Sequence, residues 1–162
     1  MTHYKMRYAD RKMDEDAARD VLDAGDFCVV STVDTDGAPY GVPLSYVRVG
    51  DALYLHSAIE AGHKLDNFAH DARVFVTVVR NGGAFFQDTF FSTRYESVMA
   101  VGHIARVTDG KEVRRALVAL CMKYVPQAKR EIGSAMDREL PYTAVWRIDI
   151  EELSGKSAHM KA

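Results

Sequence analysis

The chain has 162 residues, 48% of them apolar, and its 21 basic and 23 acidic side chains leave a formal net charge of −2. That length builds one well-buried domain, 1–162, and is too short for two ordinary ones. The basic residues are scattered instead of forming the cationic stripe that a phosphate backbone needs, so nucleic acid is not an expected partner. A polar start and the lack of any apolar run of ~18–20 residues point to a soluble, cytoplasmic protein with no membrane contact.

In chain order, residues 12–24, KMDEDAARDVLDA, place acids early and alanine, valine and leucine at helical spacing, with Gly25 as the stop. FCVVSTV at 27–33 predicts a strand, DTDG a turn, and APYGVPLSYVRV at 38–49 a second strand. After the turn at Gly50-Asp51, ALYLHSA at 52–58 predicts a third. GHKLDNFAHD at 62–71 reads as a short helix and ARVFVTVVR at 72–80 as a β-branched strand. NGGAFFQDTFFSTR at 81–94 breaks the pattern and is expected to be a loop over something apolar. YESVMAVGHIARV at 95–107 alternates as a fifth strand, with Gly102 marking a bulge or a close backbone approach. Residues 109–125 form an amphipathic helix whose stripe, Val113, Leu117, Leu120, Cys121 and Tyr124, is core packing. A polar connector, a sixth strand at 142–153 and a mobile tail at 154–162 complete the chain. Six strands joined mostly by short turns predict a mainly β fold: an antiparallel barrel with helices outside it.

The stretch HSAIEAGHKL at 56–65 carries the chemistry. Ser57 offers a hydroxyl at a strand end, and Gly62-His63-Lys64 opens a helix whose first N–H groups lack intrahelical partners and carry positive partial charge. Glycine permits close approach, lysine supplies a charge and histidine a donor, so an anion can be cradled there. A phosphate, with three oxygens, suits the set better than a carboxylate. An ordinary solvated helix start would carry the same residue types.

His56, His63 and His70 recur every seven residues, but they span a strand end, a loop and a helix, so no metal site is expected. His70 reads as a helix C-terminal residue facing the dipole, and His103 as a solvent-facing or hydrogen-bonded strand residue. Cys28 and Cys121 lie in apolar runs without a C-x-x-C and read as buried thiols in a reducing compartment.

GVPLSYVRVGDALYLHSAIEAGHKLDNFAHDARVFVTVV, then YESVMAVGHIARV and a late VWRIDIEELSGK, resemble in order and spacing the FMN-binding split-barrel superfamily related to pyridoxamine phosphate oxidase, and within it the nitroimidazole-resistance branch. The resemblance covers residues 7–156. It implies a six-stranded antiparallel split barrel and an obligate homodimer with FMN in clefts between protomers. By the same resemblance Val42, Pro43, Leu44, Ser45 and Tyr46 line the isoalloxazine ring, largely through backbone groups. His56 and Ser57 lie at the ribityl and phosphate end, His63 and Lys64 hold the phosphate, Tyr95 and Ser97 reach the cofactor, and Trp146 is an aromatic near the flavin or plain core. His56 matches a histidine near the substrate face and is the candidate catalytic residue. Independently of the family, YESVMAV and FFQDTFF carry more aromatic surface than a monomer of this size comfortably exposes, and a two-fold interface would cover it.

True pyridoxamine phosphate oxidases end in an arginine, leucine and proline motif, whereas this chain ends WRIDIEELSGKSAHMKA. The resemblance therefore implies an FMN-dependent oxidoreductase that passes electrons from a nicotinamide nucleotide or a protein donor to a small organic acceptor such as a nitro compound. The alternatives are a non-catalytic flavin-binding or flavin-sensing protein, a haem-binding split barrel with an axial ligand among His56, His63 and His103, and a deazaflavin in place of FMN.

Overall fold

A computed structural model describes residues 5–87 and 89–158 of the chain. Its elements are α1 (Glu15–Ala24), β1 (Cys28–Val33), β2 (Pro39–Leu44), β3 (Tyr46–Val49), β4 (Ala52–Ala58), α2 (His63–His70), β5 (Arg73–Gln87), β6 (Phe90–Arg106), α3 (Gly110–Tyr124), α4 (Ile132–Glu139) and β7 (Thr143–Ala158). The strands make one antiparallel sheet in the order β2-β1-β5-β6-β7-β4-β3. Six strands were expected and seven are present, because residues 38–49 do not run as one strand. They break at Ser45 into β2 and β3, which form the two edges of a sheet that does not close.

The break has a visible cause. Tyr46 turns inward and is fully buried, its hydroxyl donating to the Leu22 carbonyl and its N–H to the Tyr124 hydroxyl at 2.9 Å. One residue therefore separates two strands that pair at opposite ends of the sheet, β2 with β1 and β3 with β4, and the sheet must curl to allow it. Burial pushes the Tyr46 hydroxyl pKa above its ordinary value, so it stays a neutral donor.

Inside the curl lie Val30, Leu53, Leu55, Val76, Val98 and Ile148, contributed by β1, β4, β5, β6 and β7. Helix α2 closes one end with Phe68, and its buried Asn67 donates to Thr32 Oγ1 at 3.0 Å. Helix α3 lies outside, setting Ala116 against Ala52, Tyr54 and Val145. The expected core stripe is buried at Leu120 but only half-buried at Val113, Leu117, Cys121 and Tyr124. Both α1 and α3 start at aspartate caps, Asp14 accepting from Ala17 N and Asp109 from Glu112 N, each at 2.8 Å.

Three further expectations change. The predicted loop at 81–94 is instead the outer half of a β5–β6 hairpin, in which Phe86 pairs with Phe91 at a ring separation of 4.8 Å. Two glycines and Asn81, at φ 52°, mark an irregularity between Arg80 and Gly83, not a strand end. Residues 154–158 of the predicted mobile tail pair with Tyr95–Met99, while 159–162 lie outside the described residues. The polar connector contains α4, in which Ile132 and Met136 are buried.

Two glycines meet opposite constraints. A Cβ on Gly25 would stand 2.4 Å from Val78 Cγ1 and 2.6 Å from the Tyr46 hydroxyl, whereas one on Gly133, in α4, meets nothing within 4 Å. Gly25→Ala should therefore destabilise the fold by about 1–3 kcal/mol, and Gly133→Ala should stabilise it by roughly 0.5–1 kcal/mol. Urea denaturation of the two variants checks both signs.

Candidate functional site

Helix α2 starts without a side-chain cap. Gly62 is extended at φ 172°, and its carbonyl accepts from both Leu65 N (2.7 Å) and Asp66 N (3.1 Å). Among the described residues, no hydrogen bond uses the backbone N–H of His63 or Lys64. Two donors therefore point out of the positive end of a helix dipole. Lys64 adds a full charge, partly offset by the exposed Asp66 in the same turn. The His63 ring packs on Tyr40 of β2, 4.1 Å between centroids, so the helix start adjoins the sheet edge that continues into Val42–Ser45.

From Tyr40 to Ser45 the edge runs about 17 Å at the usual strand rise, enough for a polyol chain and a fused ring system to lie along it. Strand β2 pairs on one side only, and Pro39 and Pro43, which have no N–H to give, are tolerated there because it is an edge. Val42 and Leu44 are half-buried and Pro43 is exposed. Tyr46 departs from the rest of the expected ring-lining segment. Its side chain is core, its N–H is taken by Tyr124, and the same hydroxyl lies 3.0 Å from the Tyr46 carbonyl and 2.7 Å from that of Asp26. Beside it, the Lys123 ammonium stacks on the Tyr46 ring at 3.7 Å with no hydrogen-bond partner, and burial lowers its pKa.

Ser57 is buried, donating to the Ala58 carbonyl (2.9 Å) and accepting from Trp146 Nε1 (3.0 Å). Trp146 meets Phe68 of α2 edge-on at 5.1 Å. The two residues thus brace the end of β4 against the helix that carries Lys64. Tyr95 and Ser97 do not join them. Ser57 pairs with Ala144 and Ser97 with Lys156, twelve positions further along β7, which is about 40 Å of strand. The Ser97 hydroxyl is 3.4 Å from the Lys156 carbonyl. Burial alone would raise the Tyr95 pKa, but Lys156 and Arg11 outweigh it and the net direction is down.

His56 faces the opposite side of β4 from Ser57. It borders a pocket of about 460 Å³ between the end of β4, α3 and α4, whose walls include Leu117, Cys121, Ile132, Met136 and Tyr142. His56 is exposed at the pocket's edge, and partial desolvation there, with repulsion from Lys64, lowers its pKa from the ordinary 6.5, which favours the neutral imidazole at neutral pH. Glu60 and Glu139, both exposed, also line the pocket. The walls from α4 were missed in the sequence, although Ile132, Ala135 and Met136 already repeat at three and four. Cys121 is half-buried, whereas Cys28 is fully buried and its thiol is pushed up to about 12. His70 ends α2 exposed, and His103 Nδ1 lies 2.6 Å from Glu151 on the sheet surface. Among the described residues no three of His, Cys, Asp and Glu converge as metal ligands, and no helix is long and apolar enough to cross a membrane.

No curated protein matches the chain. Solved structures do match it. A candidate 5-nitroimidazole antibiotic resistance protein from Bacteroides thetaiotaomicron is 24% identical, with 97% of this chain and 95% of that chain covered and a TM-score of 0.75. The flavocytochrome Anf3 from Azotobacter vinelandii is 23% identical, over 97% and 73%, with a TM-score of 0.83. An FAD- and haem-binding protein from Mycobacterium smegmatis is 25% identical, over 93% and 74%, with a TM-score of 0.80. A family model described as pyridoxamine 5'-phosphate oxidase matches residues 14–157. With that match over nearly its whole length and a curled antiparallel sheet split between β2 and β3, the chain belongs to the pyridoxamine 5'-phosphate oxidase family of split-barrel proteins.

Proposed function

We propose that the chain is an FMN-dependent oxidoreductase that works as a homodimer and reduces a small organic acceptor, with nitro compounds as the candidate class. The observation that carries this reading is the uncapped start of α2, where the free N–H groups of His63 and Lys64 and the Lys64 ammonium adjoin an open sheet edge. A dianionic phosphate fits that field, and the edge from Tyr40 to Ser45 offers a bed for the rest of the nucleotide. When bound, the flavin supplies electrons that a nicotinamide nucleotide or a protein donor has delivered to it.

The chain's own residues bind and orient. Lys64 and His63 hold the phosphate, Ser57 and Trp146 fix the end of β4, and Val42, Pro43, Leu44 and Ser45 border the ring. His56, neutral at neutral pH, can orient an acceptor or move a proton at an imidazole nitrogen. Similarity to a candidate nitroimidazole-resistance protein supports a nitro acceptor. The ending WRIDIEELSGKSAHMKA lacks the motif of true pyridoxamine phosphate oxidases, so pyridoxal phosphate synthesis is not proposed.

Two features support the dimer. About 40 Å of β7 separates Tyr95 and Ser97 from Ser57 in their own chain, which favours their serving the phosphate end of a cradle in a second protomer. The outward sheet face also leaves Phe27 at 61%, Phe75 at 41% and Val79 at 60% exposure, a surface that a two-fold contact would bury.

Haem, bound by two of the similar structures, is less well supported. His56 lines an apolar pocket to which His63 and His103 do not contribute, and that pocket carries Glu60 and Glu139, which would repel the propionates. A deazaflavin would use the same phosphate end, and a visible spectrum of the purified protein separates flavin, deazaflavin and haem.

Lys64→Ala should weaken FMN binding by about 1.5–3 kcal/mol, the loss of one charge-assisted hydrogen bond, while the urea midpoint stays near wild type. Fluorescence titration with FMN measures it, and unchanged affinity would put the phosphate elsewhere. Val79→Asp should give monomers by sedimentation, because an unpaired buried carboxylate costs several kcal/mol, and should weaken FMN binding with it. Persisting dimers would move the interface off this face. Turnover distinguishes the enzyme from a flavin-sensing protein, which would bind FMN without oxidising NADH or NADPH in the presence of a nitro acceptor.

A further inference from the structure

We propose that the pocket between the end of β4, α3 and α4 is the acceptor's seat, and that it takes neutral or cationic aromatic molecules and turns away carboxylates. The proposal rests on the flavin reading for the word acceptor; the pocket and its selectivity rest on the lining residues and their charges.

At about 460 Å³ the pocket matches the size range of small-molecule sites. Leu117, Cys121, Ile132 and Met136 make its walls apolar, which suits an aromatic ring. Its polar equipment is one-sided. No lysine or arginine lines it, and His56 is neutral at neutral pH. Glu60 and Glu139 are exposed where they line it, and neither forms an ion pair among the described residues. An anionic ligand would lose its hydration inside and meet two carboxylates, with no lysine or arginine in the lining itself to compensate. A neutral ring meets neither penalty, and a cation gains from both glutamates.

His56 makes the pocket adjoin the cradle. Its imidazole lines the pocket and also lies within the field of Lys64, at the end of the strand that carries Ser57. Ser57 lines the pocket as well, so an acceptor seated there would adjoin the end of β4 next to the cradle, where the imidazole can hydrogen-bond to it.

The test uses the full chain and two probes of equal size, 4-nitrobenzyl alcohol and 4-nitrobenzoate. FMN uptake is measured first, and each probe is then titrated calorimetrically into the flavin-loaded protein. The alcohol should bind at least about ten-fold more tightly than the benzoate. The double variant Glu60→Gln/Glu139→Gln should shrink that ratio, and Ala135→Phe, which fills the pocket, should abolish binding of the alcohol while FMN uptake and circular dichroism stay as in wild type. Equal affinities, an unchanged ratio in the double variant, or alcohol binding that survives Ala135→Phe would overturn the proposal. Loss of FMN uptake in a folded Ala135→Phe protein would also overturn it, by making the pocket the flavin's own seat. If the wild type takes up no FMN, the flavin reading fails by itself, and the same titrations on the unloaded chain still decide the pocket's selectivity.

Discussion

The architecture turns on a single inward residue. Tyr46 sends its hydroxyl to the Leu22 carbonyl of α1 and gives its N–H to Tyr124 at the end of α3, so the chain cannot continue β2 straight into β3. Residues 39–49 consequently supply both edges of one sheet, and the sheet curls until those edges are one residue apart. That curl makes an interior for Val30, Leu55, Val76 and Ile148, and it leaves β2 with an unpaired side. Lys123 on the Tyr46 ring and the lack of room for a Cβ at Gly25 belong to the same knot, where three elements meet too closely for larger side chains.

The proposed cofactor site lies where α2 enters, beside β2. The braced pair Ser57–Trp146, with Phe68 behind it, fixes the helix against the sheet. Rigidity here would serve the proposed phosphate site, because a dipole end and an ammonium attract a dianion strongly only if they need not reorganise to meet it. On the other side of β4 the field reverses: His56 is kept neutral and Glu60 and Glu139 line the pocket. The end of β4 is thus shared by the two regions, with His56 and Ser57 both lining the pocket.

Much of this was legible in the residues. Gly62-His63-Lys64 marked the helix start to within one residue, and Gly102 marked the bulge where β6 meets β7 at the Asp149 carbonyl. What was hidden depended on tertiary contact. Apolar alternation runs unbroken through Ser45, so nothing local signals that Tyr46 turns inward. The outer β5–β6 hairpin bears Phe86, Phe90 and Phe91 on an exposed arm, so it lacks the inside-outside alternation that identifies a strand, and its glycines and Asn81 imitate a loop. Helix α4 has eight residues, with a glycine in its second position and its charges gathered at the end, below the length at which helical periodicity stands out. The candidate site divides in the same way: the local motif at 56–64 was readable, whereas the distance of Tyr95 and Ser97 from it follows from strand register along β7.

The central claim is that the phosphate, rather than the ring, anchors the cofactor, through the start of α2. Comparing the dissociation constants of FMN and riboflavin, which differ only in that phosphate, tests this directly by flavin fluorescence on the wild-type protein. Removing several charge-assisted hydrogen bonds at once predicts that FMN binds at least about a hundred-fold more tightly, with the gap narrowing as salt is raised. Equal affinity for the two flavins would contradict the account.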